Sequence, residues 1–380
     1  MSLISRRRFL AAAGVAALAG CSSRGDTAAQ STPAGSETAA PTESSETDQP
    51  TGQSAPVAES VPTADAQLPL PMSPGDIRDE AQSGGPPKDG IPSIDDPSFV
   101  APDAADFLNP GDPVFGVARG GDVKAYPQKI LAQHEIVNDN LDGTPVSVTY
   151  CPLTGTVQGF ERGDTTFGVS GRLINNNLVM YDRATEAWWP QILATSIPGP
   201  WNKDPEITSL QEFRLVWTTW KRWQSRHPDT QVLSTETGHA KNYGRDPYGG
   251  YNPRRGYYDT DRLLFPALSD DDRYDRKTVV MGARTPDGAA AFLKNSLRER
   301  NLMEGTIGEA PTLAVYDPGL DTAYVYLNPD GATFEYDDGG VVAADGTSHD
   351  PDALPLTRVH TFDAMWFAWA GYYPDTNVYE

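Results

Sequence analysis

The sequence predicts an α+β fold made of two related β-rich halves, each closed by a Trp-containing helix. The first of three observations behind this is the pattern Trp220-x-x-Trp223, followed by Pro-Asp-Thr, which recurs from Trp366 with six identities in thirteen positions. Second, residues 114–131 align with residues 280–297 at an ungapped offset of 166. Third, apolar and polar residues alternate in 146–150, which is typical of a strand.

Each half is predicted to run as strand, short turn, helix, two or more strands and a closing helix. Trp217, Trp220 and Trp223 are three residues apart, which is helical spacing, and we interpret this stripe as core packing. Thr361 is the predicted N-cap of the second closing helix.

The offset between the halves falls from 166 to 146 before the closing helix, so the first half has about 20 additional residues, within 173–200. We therefore predict a working first repeat at 113–235 and a degenerate second repeat at 279–380.

The N-terminus predicts export and anchoring. Residues 5–10, SRRRFL, fit a twin-arginine signal, and the apolar run that follows is too short to span a bilayer. The run ends in a lipobox, LAGC, whose Cys21 is the predicted lipidated residue. Residues 1–21 are therefore a predicted signal peptide, and the expected location is the extracytoplasmic face of the cell membrane.

Two further regions flank the first repeat. Residues 22–67 are rich in Ser, Thr, Pro and Glu and contain few large apolar residues, which predicts a disordered tether. A Pro/Gly-rich lead-in at 68–112 is predicted to be irregular. A connector rich in Tyr and Gly at 236–278 is too long for a simple link and is expected to pack across both halves.

The chain carries 30 basic and 52 acidic residues, a net charge of −22. A nucleic-acid-binding protein needs a basic surface, so this function is not expected. The acidic residues are dispersed and Lys is scarce, which favours adaptation to high salt. On this interpretation the charge concerns solubility.

Several motifs resemble the "domain of unknown function 3179" family of exported bacterial and archaeal proteins. They are AYPQKILAQHEIVND, VTYCPLTGTVQGFER, FGVSGRLINNNLVMYDRATEAWWPQ, HPDTQVLS and the PYGGY to LLFP part of the connector. The resemblance runs from about residue 112 to residue 380 and implies no particular reaction. Many members have Cys-Pro-Leu-Cys where this chain has Thr154, so a two-cysteine role is not available here.

With Cys21 lipidated, Cys151 is the only cysteine of the folded part, and two chemical interpretations of it stay open. One is a copper or zinc site with Cys151, His134 and Glu135 as ligands, to which Asp182 could add an oxygen. The other is a thiol enzyme in which Cys151 is the nucleophile or redox group and His134 the base.

Further polar residues of the first half are candidates for lining such a site. Asp182 and Arg183 are candidate catalytic residues, and Arg183 could fork onto a carboxylate or phosphate. Gln191, Asn177 and Ser170 are candidate binding residues. The alternatives are an ion pair between Asp182 and Arg183, a turn in the NNN motif, and an inert core cysteine.

The sequence therefore predicts an exported, membrane-anchored lipoprotein that binds a small molecule or metal around Cys151 and His134. A thiol-dependent enzyme and a scaffold without a site are the alternatives. Cys151 stands opposite Asp317 in the alignment of the halves, and this difference indicates the first half as the place of the site.

Overall fold

The computed structural model describes residues 60–380. The predicted signal peptide, the lipidation at Cys21 and most of the predicted tether lie outside these residues. Residues 60–67, at the end of that tether, are not disordered as predicted: Thr63 forms a β-bridge with Leu210, and Val61 is buried. Backbone hydrogen bonds from Ala64 N to Ser209 O and from Gln211 N to Pro62 O also hold this stretch.

Short elements tie the lead-in to the first half. They are α1 (Pro74–Asp79), β1 (Gln82–Ser83), β2 (Phe99–Val100) and a 3₁₀ turn (Pro102–Ala104).

The first half follows with eleven strands and two helices. These are β3 (Pro113–Arg119), β4 (Asp122–Pro127), α2 (Gln128–His134), β5 (Ile136–Leu141), β6 (Thr144–Cys151), β7 (Thr156–Glu161), β8 (Phe167–Ile174), β9 (Asn177–Asp182), β10 (Trp188–Pro190), β11 (Glu212–Phe213), β12 (Val216–Thr219), α3 (Trp220–Arg226) and β13 (Gln231–Leu233).

The connector contains the hairpin of β14 (Gly249–Tyr251) and β15 (Arg254–Gly256) and a 3₁₀ turn (Tyr257–Asp259). The second half comprises β16 (Val279–Thr285), β17 (Gly288–Leu293), α4 (Lys294–Arg300), β18 (Leu302–Ile307), β19 (Ala310–Asp317), β20 (Thr322–Leu327), β21 (Phe334–Asp337), β22 (Gly340–Ala343), β23 (Ser348–His349), β24 (Thr357–Val359), β25 (Thr361–Met365), α5 (Trp366–Tyr372) and β26 (Asn377–Tyr379).

The fold is β-rich with few helices, as an α+β prediction requires. One sheet of the first half has the strand order β12-β3-β4-β13-β2, and one sheet of the second half has the order β25-β16-β17-β26. A further pair has the orders β11-β7-β6-β5 and β24-β20-β19-β18. The first half adds β1-β8-β9-β10, and the second adds β21-β22-β23.

Each closing helix packs a tryptophan onto a glycine of a neighbouring strand. A Cβ at Gly116 would lie 2.3 Å from the ring of Trp223, and one at Gly282 would lie 2.2 Å from the ring of Trp369. Each indole Nε1 donates to the hydroxyl of the threonine seven residues later, at 3.0 Å in both halves. The tryptophans are buried, so their predicted role in core packing is confirmed.

Two details of the predicted helices are wrong. Trp217 lies in β12, because a spacing of three does not by itself separate a helix face from the end of a strand. Thr361 begins β25, and the N-cap of α5 is Met365, whose side chain makes no capping hydrogen bond. None of the helices in the described chain is long and apolar enough to cross a membrane.

The additional segment of the first half packs against the closing helix of the second. Asn175 Nδ2 donates to Ala368 O at 3.0 Å, and the Tyr372 hydroxyl donates to Ile174 O at 2.7 Å. Asn175 and Asn176 turn the chain from β8 to β9 with φ of 53° and 58°, as the NNN motif predicts. Both halves and the connector thus share one apolar core.

Candidate functional site

Cys151 ends β6 inside an apolar cluster with Ile136, Leu153 and Met180. Its Sγ lies 3.5 Å from Asn176 O. Burial, and then the charge of Glu135, raise the pKa of the thiol to about 11, so the thiol is protonated at neutral pH. An activated cysteine needs the opposite shift, so this geometry favours the inert core interpretation.

His134, the last residue of α2, is buried, and both of its ring nitrogens have partners. Nδ1 lies 2.7 Å from Pro92 O, and Nε2 lies 2.6 Å from the Tyr243 hydroxyl. Burial lowers the pKa of the imidazole to about 4. No hydrogen bond of the described chain joins His134 to Cys151. The imidazole instead ties the lead-in and the connector to the end of α2.

Glu135 follows His134 in a left-handed conformation, with φ of 61°. Its side chain is buried, and its carboxyl has no hydrogen-bond partner among residues 60–380. Burial raises the pKa of this carboxyl to about 8, so it is mostly protonated at neutral pH. Its charge, when present, raises the pKa values of both Cys151 and Tyr248. Glu135 is thus the predicted site residue whose charge affects the pKa of Cys151.

The predicted copper or zinc site does not fit the structure. In the chain from residue 60 onward there is no group of three or more His, Cys, Asp or Glu side chains that could hold a metal ion. Both ring nitrogens of His134 already have hydrogen-bond partners, and the Cys151 thiol contacts a backbone carbonyl. Neither side chain is therefore placed to bind a metal ion together with Glu135. The metal prediction is corrected on these grounds.

Gln191 and Asn177 belong to a buried network of hydrogen bonds. Gln191 Nε2 donates to Thr149 O at 3.1 Å, and Gln191 Oε1 accepts from Thr156 Oγ1 at 2.6 Å and from Asn177 Nδ2 at 3.0 Å. Asn177 Oδ1 accepts from Ile192 N at 2.8 Å. Both amides are satisfied within the protein and bind the additional segment to β6 and β7.

Ser170 and Asp182 also have local partners. The Ser170 hydroxyl donates to Val179 O at 2.6 Å, at the irregularity in the pairing of β8 with β9. Asp182 accepts from Thr185 N at 2.5 Å and from Trp189 Nε1 at 2.9 Å. Asp182 and Arg183 do not form the ion pair that was one alternative for them.

Arg183 forks onto two carboxylates of the lead-in. Nη1 lies 3.1 Å from Asp95, and Nη2 lies 3.3 Å from Asp89. The Arg183 side chain is about one-third exposed, so these contacts hold the lead-in on β9 but contribute little to stability.

A large open space lies elsewhere in the described structure, between the first half, the connector and the second half. This space, called the cleft below, has a volume of about 780 Å³. Trp217 and Thr219 of β12 line one side, and Lys294 and Arg298 of α4 line another. The connector lines a further side with residues that include Tyr251, Arg254, Tyr258 and Lys277.

Two buried or half-buried ion pairs lie in the wall given by the second half. Lys294 Nζ is 2.6 Å from Asp363, and Arg298 donates twice to Asp321, at 2.8 Å each. The Asp321 pKa falls to about 2 because hydrogen bonds from Arg298 and the charge of Lys294 outweigh its burial. Asp321 is therefore ionised at neutral pH, and its two hydrogen bonds hold Arg298 in place.

An aromatic wall faces these charges. Trp217 and Tyr251 have ring centroids 4.4 Å apart, and Tyr258 lies 5.1 Å from Tyr251. The Tyr258 hydroxyl donates to Asp246 at 2.8 Å, which holds the connector in place.

None of the residues that line this cleft was predicted as a site residue from the sequence. The density of Tyr, Asp and Arg in the connector was the one available signal, and it was used only to predict packing across the halves. The charged residues of α4 lie in the half that was predicted to be degenerate. These residues lie near the connector only because segments that are distant in the chain contact each other in the folded protein.

No curated protein and no solved structure shows significant similarity to the chain. The profile of one family, described as "Protein of unknown function (DUF3179)", matches residues 88–376. The match includes the second part of the lead-in, which the resemblance of motifs had left out. Because it covers most of the chain, the protein belongs to the DUF3179 family.

Proposed function

We propose that this protein is a binding module, anchored at the extracytoplasmic face of the membrane, which holds a small polar organic molecule in the cleft. The cleft itself carries the proposal. Its volume of about 780 Å³ is within the usual range for small-molecule sites. The function predicted from the sequence is kept, and its place moves from Cys151 and His134 to the cleft.

The lining combines the two features that small-molecule sites need. Tyr251, which packs on the buried Trp217 and is itself partly exposed, offers an apolar face on which a ligand can stack. Lys294 and Asp363 offer fixed charged groups that can orient it. A site of this kind binds its ligand without using the thiol, and no described contact favours the thiol enzyme over it.

The position of the cleft agrees with an origin of the fold by duplication. On this proposal the halves are copies of one unit, and the site formed where the two copies and their connector meet. In support, the residue numbers of β16 to β20 exceed those of β3 to β7 by a constant 166, and the residue numbers of α5 exceed those of α3 by 146. The shared sheet orders and the shared Trp-on-Gly contacts agree with this origin.

Anchoring on Cys21 is the second part of the proposal and rests on the order of charged, apolar and LAGC segments at the N-terminus. A Cys21→Ser variant of the full chain, expressed in a host with twin-arginine export, is expected to move from the membrane fraction to the soluble fraction. Retention of the variant in the membrane would contradict lipidation as the anchor.

The binding proposal is tested on the full-length protein, purified from its own cells and then denatured to release bound small molecules for mass spectrometry. The Tyr251→Ala variant is expected to release much less of the same compound. Tyr274→Ala is the matched control, because Tyr274 is half-buried against Trp366 outside the cleft. Equal release from both variants, or no compound from the unaltered protein, would contradict the proposal.

A further inference from the structure

Lys277 of the connector is buried at the cleft without a carboxylate partner. Its Nζ donates to the backbone carbonyls of Tyr257 and Arg262, and no carboxylate oxygen of the described chain lies within 4 Å of it. Burial lowers the pKa of this amine to about 8; the charge of Asp261, more than 4 Å away, raises it, and the charge of Arg254 lowers it. A buried ammonium group is costly unless a negative charge comes close to it.

Arg254 lies beside Lys277 and is likewise without a carboxylate within 4 Å in the part of the chain that the structure covers. Its Nη1 donates to the backbone carbonyl of Lys277 at 3.1 Å, and its Nη2 donates to the Tyr251 hydroxyl at 3.4 Å. Its Nε has no hydrogen-bond partner in residues 60–380. This wall of the cleft thus has two neighbouring cations in a chain of net charge −22.

The other charged groups of the cleft do not cancel this excess. Lys294 and Arg298 are matched by Asp363 and Asp321. Lys294 Nζ makes one hydrogen bond, to Asp363, and keeps further N–H donors.

Acidic residues do occur at the cleft, but they lie at its rim. Asp259, Asp261 and Asp275 are exposed, so water and salt screen their charges. Lys277 is buried and Arg254 is partly buried, so their charges are less screened than those of the exposed carboxylates. Lys277 Nζ also lies 3.4 Å from the centroid of the Tyr257 ring.

We infer that the ligand carries an oxyanion group, a carboxylate or a phosphate, which Lys277 and Arg254 bind beside the aromatic wall. This inference rests on the proposed function of the cleft and adds the chemical class of the ligand. A charge-assisted hydrogen bond from a guanidinium or ammonium group to an oxyanion is stronger than one between neutral groups. The oxyanion would also compensate the charge that the protein leaves unmatched.

The test is equilibrium dialysis of the full-length protein against a mixture of succinate, succinamide, 1,4-diaminobutane, glycerol 3-phosphate and glycerol, each measured by mass spectrometry. These compounds have similar sizes and differ in charge. The protein is expected to enrich succinate or glycerol 3-phosphate over the neutral and cationic compounds. Arg254→Gln is expected to lower the association constant of the enriched anion at least about tenfold.

Lys277→Met is the second variant and is expected to have an effect of similar size. Arg273→Gln is the matched control, because Arg273 pairs with Asp271 outside the cleft. Urea unfolding of each variant establishes that it is folded before dialysis.

The outcomes separate the chemical class from the function. Enrichment of a neutral or cationic compound that Tyr251→Ala abolishes overturns the oxyanion class and keeps the binding function. Anion binding that Arg254→Gln and Lys277→Met leave unchanged overturns the assignment of these residues. If no compound is enriched, the molecule released from the purified protein decides: an anion supports the inference, an uncharged or cationic molecule overturns it, and no molecule overturns both proposals.

Discussion

The two halves have several local backbone features in common and differ in the side chains beside those features. Gly116 under Trp223 and Gly282 under Trp369 have nearly the same geometry. At the end of the internal helix, Glu135 and Asn301 have φ values of 61° and 64°, and each carbonyl accepts from a tyrosine N–H, at 2.7 and 2.8 Å. The Trp-on-Gly contact and the hydrogen bond at the end of the internal helix thus occur in both halves.

The side chains at matched positions have diverged in charge. Gln128, at the start of α2, donates to the Tyr150 hydroxyl at 2.7 Å, whereas Lys294, at the start of α4, pairs with Asp363. Cys151 is enclosed by apolar groups, whereas Asp317 caps a turn and lies 3.2 Å from Arg226 of the first half. The second half therefore gives charged groups to the cleft, where the first half gives Trp217 and Thr219.

The shared scaffold is tested most strongly by removing each tryptophan. Trp223→Ala and Trp369→Ala are each expected to lower the free energy of unfolding by about 3–5 kcal/mol, because each leaves a large cavity over a glycine. Urea unfolding measures both effects. If one substitution lowered the free energy of unfolding several times more than the other, the two tryptophans would not have equivalent roles.

The ion pair of the second half is tested by Lys294→Met. Loss of the ammonium group leaves Asp363 buried and unpaired, and we expect a destabilisation of about 3 kcal/mol. Gln128→Met in the first half removes one neutral hydrogen bond and is expected to cost about 1 kcal/mol. The double variant Lys294→Met with Asp363→Leu should recover most of the loss, and failure to recover would contradict the ion-pair account.

The difference between Glu135 and Asn301 predicts a pH dependence. The folded state keeps the Glu135 proton up to a pKa of about 8, whereas the unfolded chain releases it near 4.5. Between these values the folded state binds the additional proton, so its free energy of unfolding falls as pH rises, by about 1.4 kcal/mol per pH unit.

Substitution of Glu135 by the residue of the second half, Glu135→Asn, is expected to remove this contribution. The measurement is urea unfolding at pH 6, 7 and 8 for the unaltered protein, Glu135→Asn and Glu135→Gln. Parallel stability curves for all three proteins would show that Glu135 does not titrate as described.

The smallest expected effect concerns Cys151. Cys151→Ser is expected to lower the free energy of unfolding by about 1 kcal/mol and to leave ligand retention by the cleft unchanged. Because burial raises the thiol pKa to about 11, a thiol reagent should label the native protein at pH 7 far more slowly than the urea-unfolded protein. Fast labelling of the native protein would restore the thiol-enzyme interpretation.

The sequence by itself determined a β-rich fold with few helices, the two tryptophan helices and the turn at Asn175 and Asn176. These features depend on local information: the period of apolar residues, the preference of Asn for positive φ, and a pattern repeated at a constant offset. The sequence did not separate Trp217 from the helix that follows, because a spacing of three residues fits both structures.

Only the tertiary structure decided what the polar residues do. Whether Asp182, Arg183, Gln191 or Cys151 faces solvent or its own chain depends on neighbours far away in sequence, and here each faces its own chain. The cleft arises for the same reason: β12, the connector and α4 meet there across more than 70 residues of chain. Contacts of this kind follow from the packing of whole sheets, which no local pattern encodes.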